Sequence, residues 1–301
     1  MRYAIGVDLG GTNIKIAVVS TAGEKLEYSS CETADNAGSW AQTIKERITE
    51  IQAQCGAPAS YMGLAAPGLA ARDGLSIVNM QGRLQGLEGL VWTDFLQAPY
   101  AVRVLNDAHA ALLGEVWKGA AAGFSNVVLL TLGTGVGGAV LADGRLLKGH
   151  IGRAGHLGHI CLNPDGPPDI VGTPGSLENM IGNCSLPARS GGRFTSTREL
   201  VEAHLAGDSM ATEIWSRSLN YLALGITSII NSFDPQVIIL GGGIARAGSA
   251  LFDPVSLLMD RLEWRPLGQR VPIIPAALGE EAGALGAAYH AMNCIPDGLP
   301  T

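Results

Sequence analysis

Short apolar runs alternating with stretches of helical spacing predict an α/β fold for this 301-residue chain. Two glycine-rich turns, each flanked by apolar runs, add a β-hairpin to each of two halves. Glycine makes up 41 of the 301 residues, against a usual share of roughly 7 %. It clusters after apolar runs, where tight turns or close approach of a ligand to the backbone call for it.

The elements follow in order. Residues 3–8 form an apolar run, then come Leu9-Gly10-Gly11-Thr12 and a second run over 14–19, which reads as strand, turn, strand. Ile44, Ile48 and Ile51 stand at i, i+4, i+7, so residues 39–55 read as a helix. Residues 61–64 and 102–105 read as buried strands, and a helix over 108–117 follows, capped by Asn106 or Asp107. Val127–Leu132, the turn Gly133-Thr134-Gly135-Val136-Gly137-Gly138 and residues 139–141 repeat the opening pattern. The likeness suggests two related halves, with a boundary near residue 108. Residues 163–175 hold four prolines and three glycines and read as a surface loop. Residues 196–205 and 210–231 read as helices, 237–240 as a strand ending in Gly241-Gly242-Gly243, and 280–292 as a last helix.

The net charge is -7, and no long Lys/Arg run occurs, so neither nucleic acid nor an anionic membrane surface is an expected partner. The 47 % hydrophobic content fits a globular chain. The five cysteines are odd in number and have no metal-ligand or redox spacing, which suits a reducing cytoplasm. Seven residues precede Asp8, so a signal peptide is not expected. The longest apolar stretch, residues 127–141, is broken by glycines and falls short of the ~20 residues of a membrane helix.

Four motifs carry candidate chemistry. Gly10 and Gly11 let backbone N–H groups face an anion, with the Thr12 hydroxyl, the Lys15 cation and an Asp8 carboxylate able to hold Mg²⁺ through water; the alternative is an ordinary hairpin turn. The 133–138 run offers Thr134 and Gly135 to phosphate, but it is neither a Walker A loop nor a Rossmann fingerprint, because an apolar strand follows it. Asp107, at a strand-to-helix junction, suits a general base or a plain helix cap. Gly241, Gly242 and Gly243 offer flat backbone to a purine ring, or simply a turn.

These motifs occur in the order found in the sugar-kinase branch of the actin-like ATPases, and the chain most resembles the ROK family of bacterial sugar kinases. Supporting stretches are Gly63-Leu64-Ala65-Ala66-Pro67-Gly68, Gly114-Glu115, Gly155-His156-Leu157-Gly158-His159 and Leu278-Gly279-Glu280-Glu281-Ala282-Gly283. The resemblance implies a two-lobed actin-like (ribonuclease H-like) α/β fold with a central cleft. It divides the chain into a small lobe of residues 1–108 plus 289–301 and a large lobe of residues 109–288. It implies an ATP-dependent kinase acting on a hexose or hexose derivative at the 6-hydroxyl, with Asp107 as catalytic base. ATP phosphates are expected near Asp8, Gly10, Gly11, Thr12, Lys15, Thr134 and Gly135, and adenosine near Gly241, Gly242 and Gly243. Asn79, Asn106, Asp107, His156, His159 and Glu178 are expected to bind the sugar. A homodimer is implied as well. The rival readings are a sugar-responsive regulator, for which the seven leading residues hold no helix-turn-helix, and an inactive sugar-binding protein of the same fold.

Two departures from the family pattern matter. The three zinc cysteines that the resemblance calls for are Asp169, Val171 and Ser176 here, and only the zinc histidine, His159, remains. One imidazole and one carboxylate do not make a tetrahedral zinc site, so no structural zinc is expected. The family glutamate that grips the sugar is His156 here, which offers one donor and one acceptor where glutamate offers two acceptors. His109 stands where relatives carry asparagine and is expected to act from behind the site or lie on the helix surface.

Overall fold

The computed structural model describes residues 2–34, 38–80 and 82–294. The chain forms two compact units. One comprises Met1–Ala122, Lys148–Ala154 and Leu278–Thr301, the other Gly123–Leu147 and Gly155–Ala277. In chain order come β1 (Tyr3–Leu9), β2 (Asn13–Ser20), β3 (Lys25–Glu32), α1 (Ser39–Cys55), β4 (Tyr61–Ala66), β5 (Leu69–Ala70) and β6 (Ile77–Asn79). Then follow α2 (Trp92–Leu96), β7 (Arg103–Asn106), α3 (Asp107–Lys118), β8 (Val127–Leu132), β9 (Val136–Ala142) and β10 (Arg145–Leu146). The rest are α4 (Leu177–Ile181), α5 (Leu186–Arg189), α6 (Thr197–Leu205), α7 (Ser209–Phe233), β11 (Val237–Gly241), α8 (Ser249–Leu262), β12 (Ile273–Pro275) and α9 (Ala282–Asn293).

Each unit is built on a five-stranded sheet, ordered β3-β2-β1-β4-β7 in the first and β10-β9-β8-β11-β12 in the second. In both, three antiparallel strands run into two parallel ones. The relation between halves suggested by two similar hairpins therefore extends to the whole sheet topology. The parallel strands β4, β8 and β11 are buried almost throughout, as strands covered on both faces must be.

The expected strands and long helices are present, and α1 has the limits its isoleucine spacing implies. The sequence does not announce the short elements β5, β6, β10, α2, α4 and α5, nor β3, β12 and α8. β3 pairs with β2 but alternates poorly, because its outer edge faces solvent. β12 is a three-residue edge. α8 contains Pro254, whose missing N–H leaves the Ala250 carbonyl without its helical donor. The Trp215 indole of α7 donates to that carbonyl at 3.0 Å and satisfies it.

The division at residue 108 is not where the structure divides. α3 belongs to the first unit because it packs against α9 along glycines and alanines. Glu115, fully buried, ties the arrangement: Oε1 accepts the Leu278 N–H at 2.8 Å and Oε2 the Ala120 N–H at 2.7 Å. The last part of the expected 289–301 segment lies outside the described residues.

Candidate functional site

In the first unit, the β1–β2 turn is held open in a defined way. The Gly10 N–H donates to the Asn13 carbonyl at 2.9 Å. Thr33 ties back two turn carbonyls, its N–H donating to Thr12 at 2.7 Å and its hydroxyl to Gly10 at 2.8 Å. The N–H groups of Gly11 and Thr12 carry no hydrogen bond among the described residues. The second unit repeats this at the β8–β9 turn. Gly133 donates to Gly135 at 2.9 Å, while the N–H groups of Asn183 and Cys184 take the carbonyls of Gly133 and Thr134 at 3.0 and 2.8 Å. The N–H groups of Thr134 and Gly135 are left without a partner among the described residues. Adjacent unengaged N–H groups at a glycine turn are an anion-binding device. Arg83, which sequence reasoning missed, brings a guanidinium to the first turn: a Cβ at Gly11 would stand 2.8 Å from its Nη1. Nothing local in the sequence links the two positions.

Asp8, the last residue but one of β1, stands opposite Lys15 in register, with 3.8 Å between carboxylate and ammonium. Its side chain keeps 15 % of its surface. The N-terminal turn of α9 crowds it, since a Cβ at Gly283 would lie 2.7 Å from the carboxylate. Burial pushes the Asp8 carboxyl up to about 7, Lys15 opposes the shift, and Asp107 adds to it. The folded chain therefore holds a proton here that the unfolded chain sheds near pH 4. The stability this lends is complete below that pH and is lost as pH rises through about 7. The ligand-free Asp8→Asn protein is expected to melt above wild type at pH 8 and level with it at pH 4. Thermal melts at the two pH values check this; equal shifts at both would exclude the titration.

Asp107 is the first residue of α3 and is exposed, with Oδ1 accepting the Ala108 N–H at 2.8 Å. The cap is Asn106, which settles the choice left open by the sequence: its Oδ1 accepts from Ala108 at 3.0 Å and His109 at 3.3 Å. Asn106 also donates to the Gly68 carbonyl at 3.0 Å, so one amide hydrogen remains for a ligand. Asn79 ends β6 and is exposed. His109 is buried rather than on the helix surface and bonds the Ala154 carbonyl at 2.9 Å.

In the second unit, His156 precedes a helical turn, Leu157–His159, and is half-buried. Glu178 lies in the first turn of α4, where Oε2 accepts the Val136 N–H at 2.9 Å. A Cβ at Gly135 would stand 2.2 Å from that oxygen, so the glycine is what lets the carboxylate reach the β8–β9 turn. Gly242 has φ +85° and lies against the Leu132 backbone, where a Cβ would be 2.3 Å from its carbonyl oxygen. Gly243 is open.

Ligand atoms of His159, Asp169 and Glu178 lie within 4.8 Å of one another. A structural zinc does not fit them. The Asp169 carboxylate is already saturated by Val171, Thr173, His159 and Ser176. Val171 offers no ligand, and the Ser176 hydroxyl is also taken, accepting from Asn179.

The paired sheets and twin glycine turns define an actin-like ATPase fold. The ROK family pattern matches residues 4–293, and the chain belongs to that family. A glucokinase of Thermotoga maritima is 34 % identical, over 94 % of this chain and 95 % of its own. An N-acetylmannosamine kinase of Vibrio cholerae is 29 % identical, over 95 % of this chain and 98 % of its own. A ROK glucokinase of Streptomyces griseus, solved with glucose and AMPPNP, superposes with a TM-score of 0.80 at 27 % identity, covering 97 % of this chain and 100 % of that one. These relatives support an ATP-dependent sugar kinase and do not favour an inactive binding protein.

Proposed function

We propose that the chain transfers the γ-phosphoryl group of ATP to the 6-hydroxyl of a hexose or hexose derivative, with Asp107 as general base. The observation that carries this is the pair of glycine turns whose carbonyls are tied back and whose N–H groups are unengaged. As the sugar oxygen attacks γ-phosphorus, its proton passes to the Asp107 carboxylate, a new P–O bond forms and ADP leaves. The first unit offers Gly10, Gly11, Thr12 and Lys15 to phosphate oxygens, and the second offers Thr134 and Gly135. Gly241, Gly242 and Gly243 suit an adenosine face. Sugar hydroxyls meet Asn79, Asn106 and Asp107 in the first unit, and His156, His159 and Glu178 in the second. A crowded carboxylate with a second one nearby suits a divalent cation, so Asp8 is the residue that would hold Mg²⁺ through water. When bound, Mg²⁺ would neutralise charge on the phosphates. Free cysteines throughout suit a cytoplasmic protein, and the family resemblance supports a homodimer.

His156 sets the sugar preference in this reading. A glutamate there would accept from two neighbouring hydroxyls; the imidazole accepts from one at most. One hydrogen bond to a charged group is worth about 1.5 kcal/mol, or roughly tenfold. His156→Glu is expected to raise kcat/KM for glucose about tenfold relative to an N-acetylhexosamine. A coupled ADP-release screen over hexoses, amino sugars and acetylated amino sugars reads this, and an unchanged ratio would remove His156 from that role.

A further inference from the structure

Residues 169–173 form a tight turn around one carboxylate. The Asp169 N–H donates to the Thr173 carbonyl at 2.9 Å, and the Gly172 N–H returns to Asp169 at 3.0 Å. Inside the turn, the Asp169 side chain has no exposed surface. Oδ1 accepts the N–H groups of Val171 at 3.0 Å and Thr173 at 2.9 Å. Oδ2 stands 2.8 Å from Nδ1 of His159. Burial alone would raise the Asp169 carboxyl. The bonds from His159, Ser176 and the two backbone donors outweigh it and hold the group below the usual carboxylate range.

We infer that Asp169 is a positioning residue: it keeps the His159 proton on Nδ1, fixes the ring, and leaves Nε2 as a bare acceptor for a sugar hydroxyl. An ionised carboxylate only accepts, so the nitrogen facing it carries hydrogen, and the other nitrogen of a neutral imidazole is then an acceptor. Nε2 has no hydrogen bond among the described residues. The carboxylate thus does by hydrogen bonding what a metal ion on the same nitrogen would do, and the saturated oxygens that exclude zinc are the ones that hold the turn. The sugar contact rests on the function proposed above; the tautomer does not.

The isosteric Asp169→Asn separates these possibilities. Its carbonyl oxygen stays on the two backbone donors, which can only donate. Its NH₂ group then occupies the Oδ2 position, where it opposes an Nδ1–H and favours an Nδ1 acceptor. Nitrogen NMR of ¹⁵N-histidine protein without ligand, with the His159 signals assigned through His159→Gln, is expected to show the Nδ1–H tautomer in wild type and the Nε2–H tautomer in the variant. Sugar KM is expected to rise about tenfold, with KM for ATP unchanged, as for one inverted hydrogen bond. An Nε2–H tautomer in wild type would overturn the inference whether or not the variant folds. So would metal analysis finding one tightly bound zinc per purified chain, or an Asp169→Asn protein with both tautomer and sugar KM unaltered. Loss of all kinase activity in wild type would sink the proposed function while leaving the tautomer result standing.

Discussion

Asp107→Asn is expected to fold, to bind sugar within about tenfold of wild type, and to lose roughly 10²- to 10⁴-fold in kcat. The substitution leaves the start of α3 intact, because the cap is Asn106 and not Asp107. An asparagine oxygen still accepts the Ala108 N–H, so the local backbone has no reason to move. What is lost is the capacity to take a proton from the attacking hydroxyl, and an amide has no substitute for it. Sugar binding by calorimetry and turnover by ADP release separate the two effects. Turnover within tenfold of wild type would strip Asp107 of its role.

The largest expected loss of stability comes from a residue with no part in the proposed chemistry, Gly286 of α9. A Cβ at Gly286 would lie 1.7 Å from the Ala110 carbonyl oxygen and 2.8 Å from the Gly114 N–H nitrogen. Both obstacles are backbone, so no rotamer change relieves them. The other face of α9 is equally tight: a Cβ at Gly6 of β1 would meet the Ala284 oxygen at 1.9 Å, and one at Gly63 of β4 the Ala287 oxygen at 2.0 Å. α9 is thus held between α3 and the sheet with no slack. Gly286→Ala must part α3 from α9, at about 3 kcal/mol or more. Melting is expected roughly 10 °C below wild type at about 2–4 °C per kcal/mol. Gly243→Ala is the control, since nothing lies within 4 Å of its added methyl, and its stability is expected within about 1 kcal/mol of wild type. Equal melting of all three proteins would disprove the tight packing of α9.

These glycines mark a boundary in what a single chain reveals. The glycines at 10, 11, 133 and 135 announce themselves because the strands on each side are local and apolar. Gly286 sits in an alanine-rich helix with nothing beside it to distinguish it; the carbonyl that requires it is 176 positions earlier in the chain. Arg83 reaches Gly11, and Glu178 reaches Val136, by the same route. Asp169 was legible as a replaced cysteine, but not as the anchor of His159.

The amino-acid sequence by itself determined the order of the glycine-flanked strands and of the long periodic helices, both glycine turns and the acid at position 107, since each rests on neighbours within a few residues. The replaced zinc cysteines were legible only through the family resemblance. Only the tertiary structure decided that Asn106 and not Asp107 caps α3, that α3 joins the first unit, and that a buried carboxylate closes on His159. Those outcomes depend on which polar groups distant segments bring together once water is excluded, and a hydrogen bond between residues far apart in the chain leaves no periodic trace in it.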